Sequence, residues 1–205
     1  MAKPGWAPYP SLSLRSAMTA RVPTRDEAWA LLNEFNKNES LIKHALAVEA
    51  VMRHMAEKAG GNPDEWGIVG LAHDLDYEQF PEQHCLKTRA LLNERDWPPE
   101  YVRAIMSHGW GLCTDVEPKT TLEKTLYAVD ELVGFVTACA LVRPSKSVMD
   151  MDAKSVQKKW KQKSFAAGVN REVIEKGAAL LGVELRVLIE EVIAGMRKIA
   201  PLIGM

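Results

Sequence analysis

The sequence predicts an all-α fold, a single bundle of about eight or nine helices. Apolar residues recur at steps of three and four along much of the chain, which is the spacing of one helix face. Cap residues, prolines and glycines stand where helices would start and stop. No segment shows the apolar–polar alternation of a half-buried strand, and no repeat or linker divides residues 24–205. We therefore expect one domain over residues 24–205.

The first two helices are predicted from their caps and their apolar stripes. Thr24 can cap a helix that runs to about Asn36, with Glu27 as its partner in a capping box. A second helix is predicted from Glu39 to about Lys58, where apolar residues follow the helical period.

The next two helices are predicted to start at prolines. Asn62 is a good cap residue and Pro63 suits the first helical position, so a helix should start there and end near Asp76. Pro81 should open another helix that runs to about Asn93.

The second half of the chain repeats these signals. Thr120 and Glu123 form a second capping-box pattern. The remaining predicted helices are one opened by Pro99 and ended by Gly109, one over about 121–141, a short basic one over about 152–161, one from Asn170 to about Leu181, and a last one starting near Leu185.

Composition limits the classes of partner. The 205 residues carry a formal net charge of −1, with 47% hydrophobic and 26% charged residues, which is ordinary for a soluble globular protein. Bulk charge therefore gives no reason to expect a nucleic acid or an anionic membrane as partner. The most apolar stretch, 126–142, contains Asp130 and Glu131, so no membrane span is predicted.

The chain start and the cysteines bear on the compartment. Residues 1–23 contain four prolines and no long apolar core, so we expect a flexible tail and not a secretory signal. Cys85, Cys113 and Cys139 are scattered and odd in number, which favours reduced thiols in a cytoplasmic protein. A catalytic role for Cys85, beside His84, is a minor alternative.

Four ionisable side chains lie on or beside the apolar faces of different predicted helices: His44, His73, His108 and Asp130. Buried ionisable groups are costly unless they are paired or bind a metal. A helical bundle can bring such residues to one point, and bundle interiors are where metal sites are built. His54, by contrast, lies about 80° around the helix from His44 and is predicted at the surface.

The dipeptide His73-Asp74 is the centre of this pattern. Its two side chains can share one ion if the helix ends nearby and its last turn lines the site. Imidazole nitrogen together with carboxylate oxygen suits Fe, Mn, Zn, Co or Ni better than Ca.

The ordered set His44, His73-Asp74 in "LAHDLD" and Asp130 in "YAVDELVG" resembles the HD-domain superfamily of metal-dependent phosphohydrolases. The resemblance covers a metal-site core at about 40–135. Two later stretches, "LVRPSKS" at 141–147 and "KSFAAGVNRE" at 163–172, also resemble a subgroup of small bacterial HD hydrolases. They extend the resemblance into the C-terminal helices, 144–203. The resemblance implies an HD-type helical fold in which these four residues bind a first metal ion.

Two further histidines, His84 and His108, lie between Asp74 and Asp130. This resembles the dinuclear branch of the superfamily, in which Asp74 would bridge two ions and His84 and His108 would bind the second. The alternative is a single ion, with His84 and His108 contacting a substrate phosphate.

The resemblance implies hydrolysis of a phosphoester of a small nucleotide or related metabolite by metal-activated water. Asp74 and Asp76 are the catalytic candidates, with Asp76 either accepting a proton or holding a metal-binding residue. Arg143 and Lys146 are candidates to bind the substrate phosphate, and Trp110 to stack on a base or cover the site. The basic segment 143–163 is otherwise a solvated face.

Two other functions stay open at this stage. Some members of the superfamily hold two irons in a similar His/Asp set and use dioxygen, so a di-iron oxygenase is one alternative. A non-catalytic module that binds a metal or a nucleotide is the other. The oligomeric state is open as well. The glycine and lysine that follow the HD dipeptide in cyclic-dinucleotide phosphodiesterases are replaced here by Asp76 and Tyr77, which argues against that substrate.

Overall fold

Ten helices form the regular structure of residues 22–205, the part of the chain that the computed structural model describes, and no β-strand occurs there. The helices are α1 (Arg25–Phe35), α2 (Glu39–Ala59), α3 (Pro63–Leu71), α4 (Leu86–Asn93), α5 (Pro99–Ser107), α6 (Thr121–Leu141), α7 (Ala153–Trp160), α8 (Arg171–Leu181), α9 (Leu185–Arg197) and α10 (Ala200–Ile203). They form one compact domain, so the predicted all-α bundle is confirmed. Of the predicted tail, only residues 22 and 23 lie within the described part.

The helix starts follow the capping signals of the sequence. The Thr24 hydroxyl accepts a hydrogen bond from the Glu27 backbone N–H, and the Glu27 carboxylate accepts one from the Thr24 N–H. Thr120 and Glu123 make the same reciprocal pair at α6. Both predicted capping boxes are therefore present.

Two helix boundaries near the predicted ligands His73 and His84 differ from the sequence prediction. The third helix ends at Leu71 instead of near Asp76. The helix predicted over 81–93 starts only at Leu86, after a short 3₁₀ turn at Pro81–Gln83. The reason is Cys85, whose φ of 66° and ψ of −47° cannot belong to a right-handed helix.

Packing around α2 brings together the segments that carry His44 and His73. This helix contacts α3, α6 and α9. Gly70 of α3 lies so close to α2 that an added Cβ would be 3.2 Å from the Glu49 Cα atom, so a side chain there would push the two helices apart. On the other side of the core, Gly177 of α8 approaches Ala128 of α6 in the same way. Close approach of α3 to α2 brings the residues after α3 next to His44.

The core is made mainly of α2, α3, α6 and α9. Among its fully buried large side chains are Met52, Leu126, Tyr127 and Phe135. Burial of a large apolar side chain stabilises a fold by about 1.5–3 kcal/mol. Within residues 22–205, every helix is too short or too polar to cross a membrane.

Candidate metal centre

Four predicted ligands from three elements meet at one end of the core: His44 from α2, His73 and Asp74 from the turn after α3, and Asp130 from α6. The Nε2 atoms of His44 and His73 lie 3.0 and 3.2 Å from Oδ1 of Asp130. Asp74 Oδ2 lies 3.3 Å from His73 Nε2 and 4.0 Å from His44 Nε2. We name these four residues the first group.

The two further histidines lie on the other side of Asp74. Their Nε2 atoms are 3.2 Å apart. Asp74 Oδ1 lies 3.6 Å from Nε2 of His84 and 3.4 Å from Nε2 of His108. We name His84 and His108 the second group. The Asp74 carboxylate therefore presents one oxygen to each group.

Hydrogen bonds on the far side of the rings determine which imidazole nitrogens can bind a cation. Nδ1 of His73 lies 2.8 Å from the Gly70 carbonyl oxygen, and Nδ1 of His108 lies 2.6 Å from that of Ile105. A carbonyl oxygen can only accept, so each Nδ1 must carry the hydrogen. In the neutral rings, the Nε2 lone pairs then face the Asp74 and Asp130 carboxylates, which is the orientation of metal-binding histidines.

Asp76 has the same role for His84. Its Oδ1 lies 2.8 Å from His84 Nδ1, and its Oδ2 accepts a hydrogen bond from the Thr88 backbone N–H at 2.8 Å. The side chain is fully buried. Both oxygens are thus occupied, and the structure places Asp76 behind His84 and not at a point where a substrate could reach it. Asp76 had two predicted roles, to accept a proton or to hold a metal-binding residue. Its position fits the second role, because it holds His84 and neither oxygen is free to accept a proton from substrate.

The charges of the first group are poorly balanced by the protein. Burial raises the pKa of Asp74, but the adjacent His73 outweighs it and holds the pKa well below its usual value. Burial also raises the pKa of Asp130, but the charge of His73 and hydrogen bonds with His44 and His73 outweigh it and lower this pKa. Burial likewise lowers the pKa of His73, but the two carboxylates outweigh it and raise the pKa well above the usual range. Without a metal, two ionised carboxylates are thus balanced mainly by one buried imidazole, His73, which has to take up a proton.

One atom shows this imbalance directly. Asp74 Oδ1 is buried and has no hydrogen-bond partner. His84 and His108 lie nearby, and in their neutral forms, with the hydrogen on Nδ1, they turn an Nε2 lone pair and not a hydrogen towards it. An unpaired buried carboxylate oxygen is costly, and a cation between Oδ1 and the two Nε2 atoms would remove the cost. The donor set therefore fits a divalent metal.

Two predicted substrate-binding residues, Arg143 and Lys146, are not among the side chains that contact the first group. Arg143 forms an ion pair with Asp150, with Nη2 3.0 Å from Oδ2. It follows the end of α6 at Leu141, and Leu141 is about 16 Å along the helix axis from Asp130 because each residue rises 1.5 Å. Lys146 is exposed and lies further along the chain. Substrate binding by Arg143 and Lys146 therefore stays a prediction, and in this structure Arg143 is paired with Asp150.

Trp110 has packing partners of its own. Its ring lies 5.7 Å from that of Tyr127, and the Lys176 ammonium is 3.3 Å from the ring centroid. The side chain therefore bridges α6 and α8. Stacking on a substrate base stays a prediction that this geometry does not support.

The prediction for His54 is wrong. This residue is buried, and its Nε2 atom lies 2.7 Å from Oε2 of Glu191 on α9. The helical angle places it away from the first group correctly, but α9 packs on that side of α2 and covers it.

Two features near the centre were missed from the sequence. The Sγ atoms of Cys85 and Cys113 are 2.6 Å apart, and both cysteines are free. The hydrogen bond between them lowers the pKa of Cys113 to about 6 and raises that of Cys85. The adjacency of Cys85 to His84 was a signal for the first thiol, but nothing local in the sequence points to Cys113.

The second missed feature is a cavity of about 540 Å³ that opens beside His44. It lies between α2, α6 and residues 203–205. Its polar lining includes Ser40, Lys43 and Thr137, and Lys43 is paired with Glu39 at 2.6 Å. The contribution of residues 203–205 depends on tertiary packing, so sequence patterns could not reveal it.

Comparisons with protein-family models, with curated proteins and with solved structures found no match to this chain. The HD resemblance therefore stays a prediction that depends on the residues themselves. Groups of His, Asp and Cys side chains that could hold a metal ion are present.

Proposed function

We propose that this chain is a metal-dependent phosphohydrolase of the HD type, acting on a phosphoester of a small nucleotide or related metabolite. The observation that carries the proposal is the Asp74 carboxylate. Its two oxygens face two different sets of imidazole nitrogens, and one of those oxygens is buried without a partner. A carboxylate in this position would bridge two ions.

The distances within the first group support a single ion among its members. Metal bonds to imidazole nitrogen and carboxylate oxygen are about 2.0–2.2 Å long, so donor atoms around one ion lie about 3–4 Å apart. The contacts among Nε2 of His44, Nε2 of His73 and the facing oxygens are 3.0–4.0 Å. Nitrogen and oxygen donors suit Fe, Mn, Zn, Co or Ni.

The chemistry follows from what such a site can do. A bound divalent ion supplies a water of lowered pKa and neutralises developing charge on a phosphoryl group. The protein's part is to orient the ligands: the Gly70 carbonyl holds His73, the Ile105 carbonyl holds His108, and Asp76 holds His84. These contacts prevent the rings from rotating.

The cavity beside His44 is the proposed substrate pocket. Its volume of about 540 Å³ lies within the range of small-molecule sites. Lys43 is the cation on its lining and would bind a phosphate oxygen in exchange for Glu39. It replaces Arg143 and Lys146 as the proposed phosphate contact.

The test is to purify the protein without added metal, quantify its bound ions, and screen nucleotides and sugar phosphates with Mn or Fe(II) for phosphate release. His44→Ala is expected to lose bound metal and activity. His54→Ala is the matched control, because it makes the same change to a buried histidine on the same helix, and it should keep both.

Other outcomes would contradict the proposal. A loaded protein that consumes dioxygen and releases no phosphate would support the oxygenase alternative. A loaded protein without turnover on the whole panel would support a binding module. Metal content that His44→Ala leaves unchanged would show that the first group is not the metal site.

A further inference from the structure

The backbone at Cys85 is strained in a way that directs its thiol inwards. Cys85 has a φ of 66° and a ψ of −47°, and the Leu86 N–H donates to the His84 carbonyl oxygen at 2.9 Å. This is a γ-turn with positive φ, a rare and strained conformation for a residue with a side chain. Such strain costs about 1–3 kcal/mol and persists where the surrounding structure enforces it, often at functional sites.

The strained turn places the thiol beside the second group. Cys85 is fully buried. Its Sγ atom lies 3.8 Å from His108 Nε2, and the donor atoms of His84, Cys85 and His108 all lie within 4.8 Å of one another. Asp74 Oδ1 lies 3.4 Å from His108 Nε2 and 3.6 Å from His84 Nε2, so this oxygen faces the same two imidazoles.

These distances fit a tetrahedral ion. Zinc bonds of about 2.0–2.1 Å to nitrogen and about 2.3 Å to sulfur predict separations of about 3.3 Å between two nitrogens and about 3.6 Å between nitrogen and sulfur. The structure has 3.2 Å between the two Nε2 atoms and 3.8 Å between His108 Nε2 and Cys85 Sγ.

We propose that Cys85 is a ligand of the second metal ion, which would make this subsite a set of two imidazoles, one carboxylate oxygen and one thiolate. The inference rests on the second ion of the proposed function. On binding, the thiol loses its proton to solvent and the thiolate sulfur bonds to the metal. Thiolate donors select zinc and other thiophilic ions, whereas the first group offers only nitrogen and oxygen. The two subsites would therefore prefer different metals.

Cys113 is the natural control for this proposal. Its thiol lies 2.6 Å from that of Cys85, but it is partly exposed and contacts the Gly109 carbonyl oxygen at 3.8 Å. It does not belong to the group of donor atoms around His84 and His108. A thiolate–metal signal should therefore depend on Cys85 and not on Cys113.

The test is a titration of the metal-free, full-length protein with Co²⁺ in the presence of a phosphine reductant. Bound cobalt is counted by equilibrium dialysis, and thiolate ligation is read from the near-ultraviolet thiolate-to-cobalt charge-transfer band. We expect two ions per chain and a charge-transfer band in the wild-type protein and in Cys113→Ser. Cys85→Ser should lose the band and bind the second ion at least about tenfold more weakly.

The outcomes separate this proposal from the proposed function. Two bound ions without a band, or a band that persists in Cys85→Ser, would overturn ligation by Cys85 and leave the dinuclear centre intact. One bound ion without a band would also overturn it and leave the first group intact. No bound cobalt would contradict both proposals. If Cys85→Ser fails to fold, the band in Cys113→Ser decides, because its loss there would assign the thiolate to Cys113.

Discussion

Two histidines on α2, ten residues apart, both face carboxylates, but His54 is buried, His44 is partly buried, and their surroundings differ. His54 belongs to a small cluster with Lys58 and Glu191, in which each Glu191 oxygen has a cationic or N–H partner at 2.7 Å. His44 faces Asp130 at 3.0 Å, and Asp130 also faces His73. In the first cluster the Glu191 carboxylate is balanced by protein groups, although the buried His54 Nδ1 has no hydrogen-bond partner. The second cluster has two carboxylates and more acceptors than donors, so we call the first one the balanced cluster.

This difference identifies the candidate metal centre better than burial does. At the His54 cluster, one carboxylate meets an imidazole and an ammonium group. At the centre, two carboxylates meet imidazoles whose hydrogens, for His73, His84 and His108, face away from the centre. Unpaired acceptors that converge on one point require a cation, whereas a histidine beside a single acid does not.

The largest expected effect is that of Asp74→Ala. Asp74 contacts both groups, so its removal should reduce bound metal to background and abolish activity, while far-ultraviolet circular dichroism shows the helices retained. Metal should also stop stabilising the protein; saturation at about 100 times Kd gives about 2.7 kcal/mol in a competent site. Asp115→Ala, the same change at an exposed site, is the control. Full metal content in Asp74→Ala would show that the ligand assignment is wrong.

A smaller effect is expected from Asp76→Asn. Asp76 accepts hydrogen bonds from His84 and from the Thr88 backbone, and an amide has one acceptor oxygen where the carboxylate has two. The second ion should bind about 10–100-fold more weakly, because groups that hold a metal-binding histidine contribute on this scale. Competition with a metal chelator measures the affinity of each ion.

Retention of the first ion in Asp76→Asn is part of that prediction, since Asp76 does not contact His44, His73 or Asp130 in the first group. Asp150→Asn changes an exposed carboxylate and should affect neither ion. Equal weakening of both ions would mean that Asp76 acts through the whole fold and not through His84.

The balanced cluster should respond in the opposite way. His54→Ala removes a buried partner of Glu191 and should lower the free energy of unfolding by about 1–3 kcal/mol. Bound metal should stay unchanged. Urea denaturation of the metal-free protein gives the first quantity, and metal analysis of the purified variant gives the second. Loss of metal in His54→Ala would erase the distinction between the two clusters.

Local signals predicted most of the fold. The capping boxes at Thr24 and Thr120 depend on residues three apart, so the sequence alone is sufficient to predict them. The helix predicted over 81–93 was wrong in its first part because Pro81 is a valid helix start and the competing constraint is tertiary. The turn at Cys85 bends the chain so that His84 reaches Asp74 and Asp76.

The candidate site was likewise predictable in part, and the errors concern features that depend on tertiary packing. The order of His44, His73-Asp74 and Asp130, through its resemblance to the HD pattern, was sufficient to predict that they meet. Arg143 was assigned by nearness in sequence, although a residue beyond the end of α6 lies far from the middle of that helix. The helical angle of His54 was computed correctly, but no pattern within α2 shows that α9 packs against that face.

The smallest effect concerns the pH dependence of the balanced cluster. Burial raises the pKa of Glu191, but hydrogen bonds from Lys58 and His54 outweigh it and hold the pKa below its ordinary value of 4.5. A group with a lowered folded-state pKa stabilises the fold above its unfolded pKa, and the contribution is lost as the pH falls through the folded pKa.

The wild-type protein should therefore be more stable than Glu191→Gln at about pH 6, by about 1 kcal/mol or less because Lys58 is half-exposed. Urea denaturation of the two metal-free proteins from about pH 6 to about pH 3.5 should show this difference shrinking below about pH 4.5, as first the unfolded chain and then the folded protein take up a proton at Glu191. A difference that stays constant over this range would mean that the charge of Glu191 does not stabilise the cluster.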